Sequence, residues 1–219
     1  NLAKGLALLT ALLRHGVGKM VFSSTAAVYG EPQRLPLGEG HPLRPVNPYG
    51  ATKAAFEEAL RWFSAAFSVK VVSLRYFNAA GALDTYGEDH RPETHLIPRA
   101  LQVALGQAPA LPLYGSDYPT PDGTAVRDYV FVGDVARAHI LALERLEGLP
   151  LPAYNLGVGR GHSVREVVET ARRVTGHPIP LTPHPRRPGD PPVLVADATA
   201  AARDLEWKPQ VRDLGQVIE

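Results

Sequence analysis

Two side chains four positions apart, Tyr49 and Lys53, could carry proton-transfer chemistry. On a helix, residues at this spacing lie on one face and can contact each other. A phenol is a poor base at neutral pH, but a nearby cation favours the phenolate and lowers the phenol pKa. The pair could therefore act as a general base and acid toward a hydroxyl or a ketone. The spacing alone leaves open an alternative, a surface tyrosine beside a solvated lysine.

Hydroxyl side chains precede this pair, at the end of the apolar run KMVFSS. Ser23, Ser24 and Thr25 occupy the carboxyl end of this expected buried strand. In a parallel sheet that end faces the crevice where ligands bind. One of these hydroxyls could then share a substrate proton with Tyr49. The alternative is a strand end whose hydroxyls only satisfy local hydrogen bonds.

Alternating helix and strand patterns must position these groups. Helical periodicity covers residues 2–15, and Pro48 suits the first turn of a helix that continues to about residue 67. Apolar runs at 19–24 and 69–78 are typical of buried strands. Further helices are expected near 94–105, 133–146, 163–175 and 198–205, and further strands near 110–115, 125–132 and 153–157. This order predicts an α/β fold with a doubly wound parallel sheet.

The chain changes character after about residue 79. The first part is regular, whereas the remainder is looser and richer in proline, which predicts a smaller C-terminal α+β lobe. We therefore expect one domain over 1–79 and a second over 80–219, with about 128–158 returning to the first domain.

Composition excludes several classes of partner and site. The formal net charge of +1 gives no electrostatic reason to expect a nucleic acid or an anionic membrane. Apolar stretches are interrupted well before about 18 residues, so no membrane span is expected. Cysteine is absent, which excludes disulfides and thiolate metal sites and fits a reducing, cytoplasmic compartment. The histidines form neither an H-x-H nor an H-E-x-x-H pattern, so no metal site is expected.

Six stretches together are similar to the UDP-glucose 4-epimerase family of the extended short-chain dehydrogenase/reductase superfamily. They are FSSTAAVYG, NPYGATK, LRYFNAAGA, YGSDYPTPDGTAVRDYVFVGDVA, YNLGVGRGHSVREVV and RRPGD, in the family's order. The tyrosine–lysine pair is common to the superfamily, whereas DYPTPDGTAVRDY is more specific to the epimerases. The resemblance implies a Rossmann-like sheet, a bound NAD and a UDP-sugar substrate. It also implies a reaction in which the C4 carbon of the sugar is oxidised to a 4-keto group and then reduced again.

The resemblance also implies residue roles. Tyr49 is the base, Lys53 holds the nicotinamide ribose and lowers the Tyr49 pKa, and Thr25 contacts the sugar 4-hydroxyl. Positions matching cofactor contacts are Asn1, Ser23 and Phe77. Positions matching substrate contacts are Asn78, His95, Leu96, Leu113, Tyr114, Arg127, Arg187, Asp190 and Leu194. His95 departs from the asparagine that is common at its position in the family.

A glycine-rich dinucleotide loop is not found ahead of the KMVFSS strand. The cluster LGVGRGHS has the spacing G-x-G-x-G, and we interpret it as a tight strand-to-helix connection. We expect that the first part of the epimerase, which carries the NAD loop, is missing from this chain. The 219-residue chain alone is then expected to bind NAD poorly and to have little activity.

Alternatives remain for the reaction and the substrate. Dehydratases and decarboxylases place a carboxylic acid after the SST position, but here Ala26 and Ala27 follow, which favours an epimerase. Other UDP-sugars, such as N-acetylhexosamines or pentoses, are possible, and Leu194 predicts room beside the sugar 2-position. The chain could also be a nucleotide-sugar-binding remnant without activity. The family usually dimerises through two helices per subunit, so a homodimer is expected.

Overall fold

The computed structural model describes residues 2–150 and 152–219 and has an α/β architecture. The helices are α1 Leu2–Arg14, α2 Pro48–Phe67, α3 Leu96–Ala104, α4 Val132–Arg145, α5 Val164–Thr175, α6 Thr199–Asp204 and α7 Leu214–Ile218. The strands are β1 Lys19–Thr25, β2 Lys70–Tyr76, β3 Asn78–Ala80, β4 Leu111–Tyr114, β5 Val126–Phe131, β6 Ala153–Leu156, β7 Gly161–Ser163, β8 Leu181–His184 and β9 Val193–Leu194.

A parallel sheet with the strand order β1-β2-β6 carries helices on both faces. On one face, Leu9 of α1 and Phe56 and Leu60 of α2 pack against the side chains of β1 and β2. On the other face, residues of α4 and α6 pack against Val72 and Leu74 of β2. Apolar side chains therefore pack against helices on both faces of the sheet, and the predicted doubly wound α/β fold is confirmed.

Local sequence fixes where α2 begins. The Asn47 side chain accepts a 2.8 Å hydrogen bond from the Gly50 N–H, and Pro48 occupies the first helical turn. Both residues suit a helix start. The Asn47 side chain binds a backbone N–H that has no partner within the helix, and Pro48 has no backbone N–H that would need a partner. The helix ends at Phe67, and the following residue, Ser68, has a left-handed φ of 55°. Tyr49 and Lys53 consequently lie in the first turns of α2, near the carboxyl end of β1.

The apolar run 69–78 was predicted as one strand, and the structure divides it. Strand β2 ends at Tyr76, whose partner in β1 is Thr25. Two residues later, Asn78 pairs with Tyr129 in a second sheet that contains β3, β5, β7 and β9. Phe77 marks the change of sheet, and its N–H donates to the Leu156 carbonyl. The division depends on β5, which is distant in sequence and invisible to a local pattern.

Short strands also occur outside the segments that the sequence predicts as strands, at β7, β8 and β9. Strand β8 lies inside the proline-rich stretch before residue 192 and pairs with β4 in a two-stranded sheet. Both strands of such a sheet are edges, where a proline such as Pro183 loses no ladder hydrogen bond. By contrast, α5 begins where the sequence predicts a helix, and Ser163 and Glu166 form a capping box there.

Among the described residues, no helix combines the length and the apolar character that a membrane crossing requires.

Candidate functional site

Tyr49, Lys53 and Thr25 meet at the carboxyl end of β1. The Lys53 ammonium lies 5.7 Å from the centroid of the Tyr49 ring and donates a 2.8 Å hydrogen bond to the Ser23 carbonyl oxygen. The Thr25 side chain is within hydrogen-bonding reach of the Tyr49 phenol. Tyr49 is 49% exposed, so a solute can reach its hydroxyl. The structure thus brings together the three residues that the sequence predicted as a proton-transfer set.

The direction of the Tyr49 pKa shift differs from the one that the sequence predicted. Desolvation raises the pKa of Tyr49 above its ordinary value, the hydrogen bond with Thr25 offsets part of that rise, and Tyr76 adds to it. The pKa of Lys53 is lowered by burial, with Glu57 opposing that change. The predicted lowering of the Tyr49 pKa is therefore not found in this arrangement, in which the ammonium hydrogen-bonds a carbonyl group and not the phenol.

A buried ion pair holds α2 against the sheet behind these residues. The Nε–H of Arg75 in β2 is shared between the two oxygens of the Glu57 carboxylate, at 3.0 and 3.1 Å, and both side chains are 8% exposed. Arg75 also donates to the Tyr29 hydroxyl, which in turn donates to Asn155. The sequence analysis missed this network. Its signal was an arginine within the apolar strand VKVVSLRY and a glutamate one turn after Lys53.

The predicted cofactor contacts have structural partners of their own. The His139 Nδ1 lies 2.9 Å from the Val135 carbonyl, so it donates there, and Nε2 accepts from the Ser23 hydroxyl at 2.9 Å. Because the Ser23 carbonyl accepts from Lys53, both the hydroxyl and the carbonyl of Ser23 have hydrogen-bond partners inside the protein. Phe77 is 8% exposed and packs in a cluster with Val28 and Tyr29. Asn1, the remaining predicted contact, lies outside the described residues.

A cavity of about 1160 Å³ collects most of the predicted substrate residues. Those that line it are Asn78, His95, Leu96, Tyr114, Arg127, Arg187 and Asp190. Leu113 is 3% exposed and lies outside this lining, and Leu194 packs half-buried against the cluster of Val28 and Phe77. Thr25 of β1 pairs with Tyr76 of β2. Asn78 follows Tyr76 by two residues, which is a span of roughly 7 Å in an extended chain. Asn78 therefore connects the cavity, through β2, to Thr25, whereas Thr25, Tyr49 and Lys53 are not among the lining residues.

Three guanidinium groups, of Arg99, Arg127 and Arg187, line the cavity together with several carboxylates. Arg127 forms an ion pair with Asp190 and donates 2.7 Å hydrogen bonds to the carbonyls of Val126 and Pro191. Arg187 lies with its guanidinium carbon 4.0 Å from the Tyr114 ring centroid. Hydrogen bonds from Arg99 first, and then from Arg187, lower the pKa of Tyr114.

Arg99 is a cavity residue that the sequence analysis did not identify. It lies four residues after His95, at the start of α3, and this helical spacing was the available signal. The half-buried Arg99 and the exposed Arg187 together place two cations beside Tyr114, which suits the oxygens of an anionic ligand.

The glycine cluster after β6 binds an internal carboxylate. The buried Asp128 side chain accepts hydrogen bonds from the backbone N–H groups of Val158, Gly159 and Ala196, at 2.8, 2.9 and 3.1 Å. A Cβ on Gly157 would lie 2.6 Å from the Asp128 carboxylate, so only glycine fits there. These amides are thus engaged within the protein. The connection from β6 to α5 that the sequence predicted as a tight turn also contains the short strand β7, which pairs with β5.

Comparison with known proteins places these features in context. A family model described as "NAD dependent epimerase/dehydratase family" matches residues 1–157. The UDP-glucose 4-epimerase of Corynebacterium glutamicum is 50% identical over 219 residues, which is all of this chain and 67% of that protein. That of Streptomyces lividans is 52% identical, with 66% of its length covered. The chain spans about two thirds of the length of these relatives.

Solved structures agree with the sequence relatives. A UDP-glucose 4-epimerase from Brucella ovis in complex with NAD is 47% identical with a TM-score of 0.92, over 98% of this chain and 67% of that one. A UDP-glucose 4-epimerase from Bifidobacterium longum in complex with NAD+ and UDP is 41% identical with a TM-score of 0.92, over 98% of this chain and 65% of that one. The resemblance inferred from the motifs is confirmed, and the chain belongs to the NAD dependent epimerase/dehydratase family.

Proposed function

We propose that this chain provides the proton-transfer residues and the nucleotide-sugar cavity of an NAD-dependent enzyme that interconverts UDP-glucose and UDP-galactose. The observation that carries this proposal is the meeting of Tyr49, Lys53 and Thr25 at the carboxyl end of β1. The same chain contains a cavity lined by Asn78, Arg99 and Arg187. The names of the sequence and structural relatives support it.

The donor set at the end of β1 fits a dinucleotide cofactor. An ammonium group and a phenol hydroxyl together can bind the two hydroxyls of a ribose, and Lys53 and Tyr49 would hold the nicotinamide ribose in this way. When bound, NAD supplies the acceptor, and later the donor, of the hydride at the sugar C4. Lys53 needs no new orientation relative to β1 for this role, since its hydrogen bond to Ser23 already fixes it.

Tyr49 moves the proton in this reaction. Its phenol oxygen takes the proton of the sugar 4-hydroxyl as the C4–H bond breaks, and returns it when the 4-keto sugar is reduced on the other face. Thr25 holds the same sugar oxygen through its hydroxyl. Because desolvation raises the pKa of Tyr49, a phenolate needs nearby positive charge, and Lys53 is the cation next to the ring. Glu57 supports that charge, because it opposes the lowering of the Lys53 pKa.

The cavity binds the UDP group. Arg187 and Arg99 bind the diphosphate, for which a guanidinium fork is well suited. Asp190 accepts hydrogen bonds from the uridine ribose, and Arg127 orients Asp190 through their ion pair. Asn78 contacts the sugar, and His95, Leu96 and Tyr114 border the uracil. We propose that Leu113 and Phe77 act by packing behind these contacts, since both are buried.

The residues after Thr25 favour epimerisation over elimination. Ala26 is 4% exposed and lies in the apolar cluster of Val28 and Phe77. Loss of a hydroxyl from the sugar would need an acid at this point, and a methyl group cannot supply a proton. The chemistry at C4 is thus limited to oxidation and reduction.

Substrate range is a second part of the proposal. Leu194 packs against the cluster that contains Ala26 and Phe77, close to the carboxyl end of β1. A leucine there leaves space beside the sugar 2-position, and we propose that UDP-N-acetylglucosamine is accepted. Absence of measurable turnover of that substrate would remove this part of the proposal.

We propose the same division of the chain that the sequence predicted, with residues 1–79 serving NAD binding and 80–219 serving UDP-sugar binding. The pairing of β6 with β2 supports the return of the later segment to the first domain. We also propose a homodimer, because α1 and α2 expose Leu8, Trp62 and Phe67 at 53%, 61% and 57%.

The experiment joins this chain to the portion of the Corynebacterium glutamicum relative that lies outside the matched region. The chimera is expected to convert UDP-galactose to UDP-glucose with bound NAD. In parallel, the 219-residue chain alone is titrated with UDP by calorimetry. If the chain binds UDP but the chimera does not convert UDP-galactose, the chain is a nucleotide-binding module without activity. If neither UDP binding nor conversion is observed, the proposal is wrong.

A further inference from the structure

A surface segment between β3 and α3 brings together four side chains of the types that bind metal ions. The proposed reaction gives no joint role to these four side chains. They are Glu88, His90, Glu93 and His95, and one donor atom from each lies within 4.8 Å of the others. The sequence search for H-x-H and H-E-x-x-H patterns missed them, because the two histidines are five residues apart with carboxylates interleaved. Only the fold of the segment makes the donors converge.

The imidazoles converge on the carboxylates. His95 Nδ1 lies 2.6 Å from Glu88 Oε1 and 3.1 Å from Glu93 Oε1, and His90 Nδ1 lies 4.0 Å from the same Glu88 oxygen. The centroids of the two imidazole rings are 5.5 Å apart with an interplanar angle of 32°. Nitrogen and oxygen donors therefore point toward one small volume.

Glu93 is the fixed member of this cluster. Its side chain is 7% exposed, and Oε1 accepts hydrogen bonds from the backbone N–H groups of Thr94 and His95, at 2.5 and 2.6 Å. Hydrogen bonds of this kind orient a carboxylate ligand from behind, as outer partners do in metal sites. The other three side chains are more exposed, so an ion can enter from solvent.

We propose that Glu88, His90, Glu93 and His95 bind one divalent transition-metal ion, of which zinc is the best match. Two neutral imidazoles and two carboxylates carry a charge that balances a divalent cation. Imidazole ligands favour zinc, cobalt and nickel over magnesium and calcium, which prefer oxygen alone. Tetrahedral zinc with ligands at about 2.0–2.2 Å holds its donor atoms about 3.5 Å apart, so modest rotations of the exposed side chains complete the site.

The ion would fix one wall of the large cavity. Glu88 and His95 line that cavity together with Arg99 and Tyr114. A metal that joins residues 88 and 95 would order the segment between them. The consequence for UDP-sugar binding rests on the proposed function, whereas metal binding itself does not.

The test uses the 219-residue chain without an affinity tag, titrated with Co²⁺ by visible absorption and with Zn²⁺ by calorimetry. We expect one equivalent of each metal to bind, with the absorption of a cobalt site that has nitrogen ligands. His90→Gln and His95→Gln should each weaken binding by about tenfold or more. The matched control is His177→Gln, which changes an exposed histidine elsewhere and should bind like the unmodified chain.

Circular dichroism of each variant separates loss of ligand from loss of fold, and the test requires neither UDP-sugar nor NAD. No saturable binding to the unmodified chain would overturn the proposal, and so would equal affinity in His95→Gln. Equal losses in His177→Gln and His95→Gln would likewise show that the cluster is not the site.

Discussion

The Lys53 ammonium donates a 2.8 Å hydrogen bond to the Ser23 carbonyl oxygen, and this bond joins the first turns of α2 to β1. The Ser23 hydroxyl in turn binds His139 of α4. Groups from helices on opposite faces of the sheet thus meet at one strand residue. The position of Tyr49 relative to Thr25 follows from this arrangement.

We expect Lys53 to titrate below the ordinary lysine value of 10.5, because burial lowers its pKa. The folded chain then binds this proton more weakly than the unfolded chain. The contribution of Lys53 to the free energy of unfolding should therefore rise as the pH increases from the folded-state pKa to 10.5. Carbon-13 NMR of the lysine ε positions, assigned with Lys53→Arg, measures the pKa. In Lys53→Met this pH dependence should disappear, and its persistence would contradict the assignment.

Arg75→Leu should lower the free energy of unfolding by about 3–5 kcal/mol, because it leaves the buried Glu57 carboxylate without its partner. Urea denaturation measures this loss. The double variant Arg75→Leu/Glu57→Leu should be more stable than the single variant, since no uncompensated charge remains. The control is Arg61→Leu, because the pair of Arg61 with Glu58 on the same helix is exposed and its loss should change stability far less. Equal losses at the buried and exposed pairs would contradict the account.

Asp128→Asn should cost about 1–3 kcal/mol of stability, although the side chains have the same shape. The carboxylate accepts from three backbone N–H groups, and an amide NH₂ would oppose at least one of them. Asp117→Asn is the matched control, because that carboxylate is 74% exposed and pairs only at the surface. A small effect of Asp128→Asn in thermal and urea unfolding would mean that the glycine connection does not depend on this carboxylate.

Arg187→Gln should weaken UDP binding to the 219-residue chain by about 1.5–3 kcal/mol, the usual value of a hydrogen bond to a charged group. Arg99→Gln should have a similar effect, because both guanidinium groups face Tyr114 in the cavity. Calorimetry with UDP gives both affinities. Arg61→Gln, on the exposed face of α2, should leave the affinity unchanged, and a loss in that variant equal to the other two would indicate nonspecific attraction.

Much of the fold and the first part of the site could be predicted from local patterns. Proline at position 48 and the helical spacing of Tyr49 and Lys53 are local signals, and they placed the pair correctly. The change of sheet after Phe77 was not predictable, because it depends on pairing between Asn78 and Tyr129, about fifty residues apart. The donors around His95 were missed for a similar reason, since a folded loop brings them together. Arg99, by contrast, had a local signal in its helical spacing from His95, which the sequence analysis did not use.

The central claim is that the Tyr49 hydroxyl carries the proton of the sugar 4-hydroxyl. The most direct measurement compares conversion of UDP-galactose to UDP-glucose by the chimera with Tyr49 and by its Tyr49→Phe variant, with UDP affinity and bound NAD measured in both. The account predicts a rate loss of about 10²–10⁴-fold in Tyr49→Phe with UDP binding retained. Equal rates in the two proteins would contradict it.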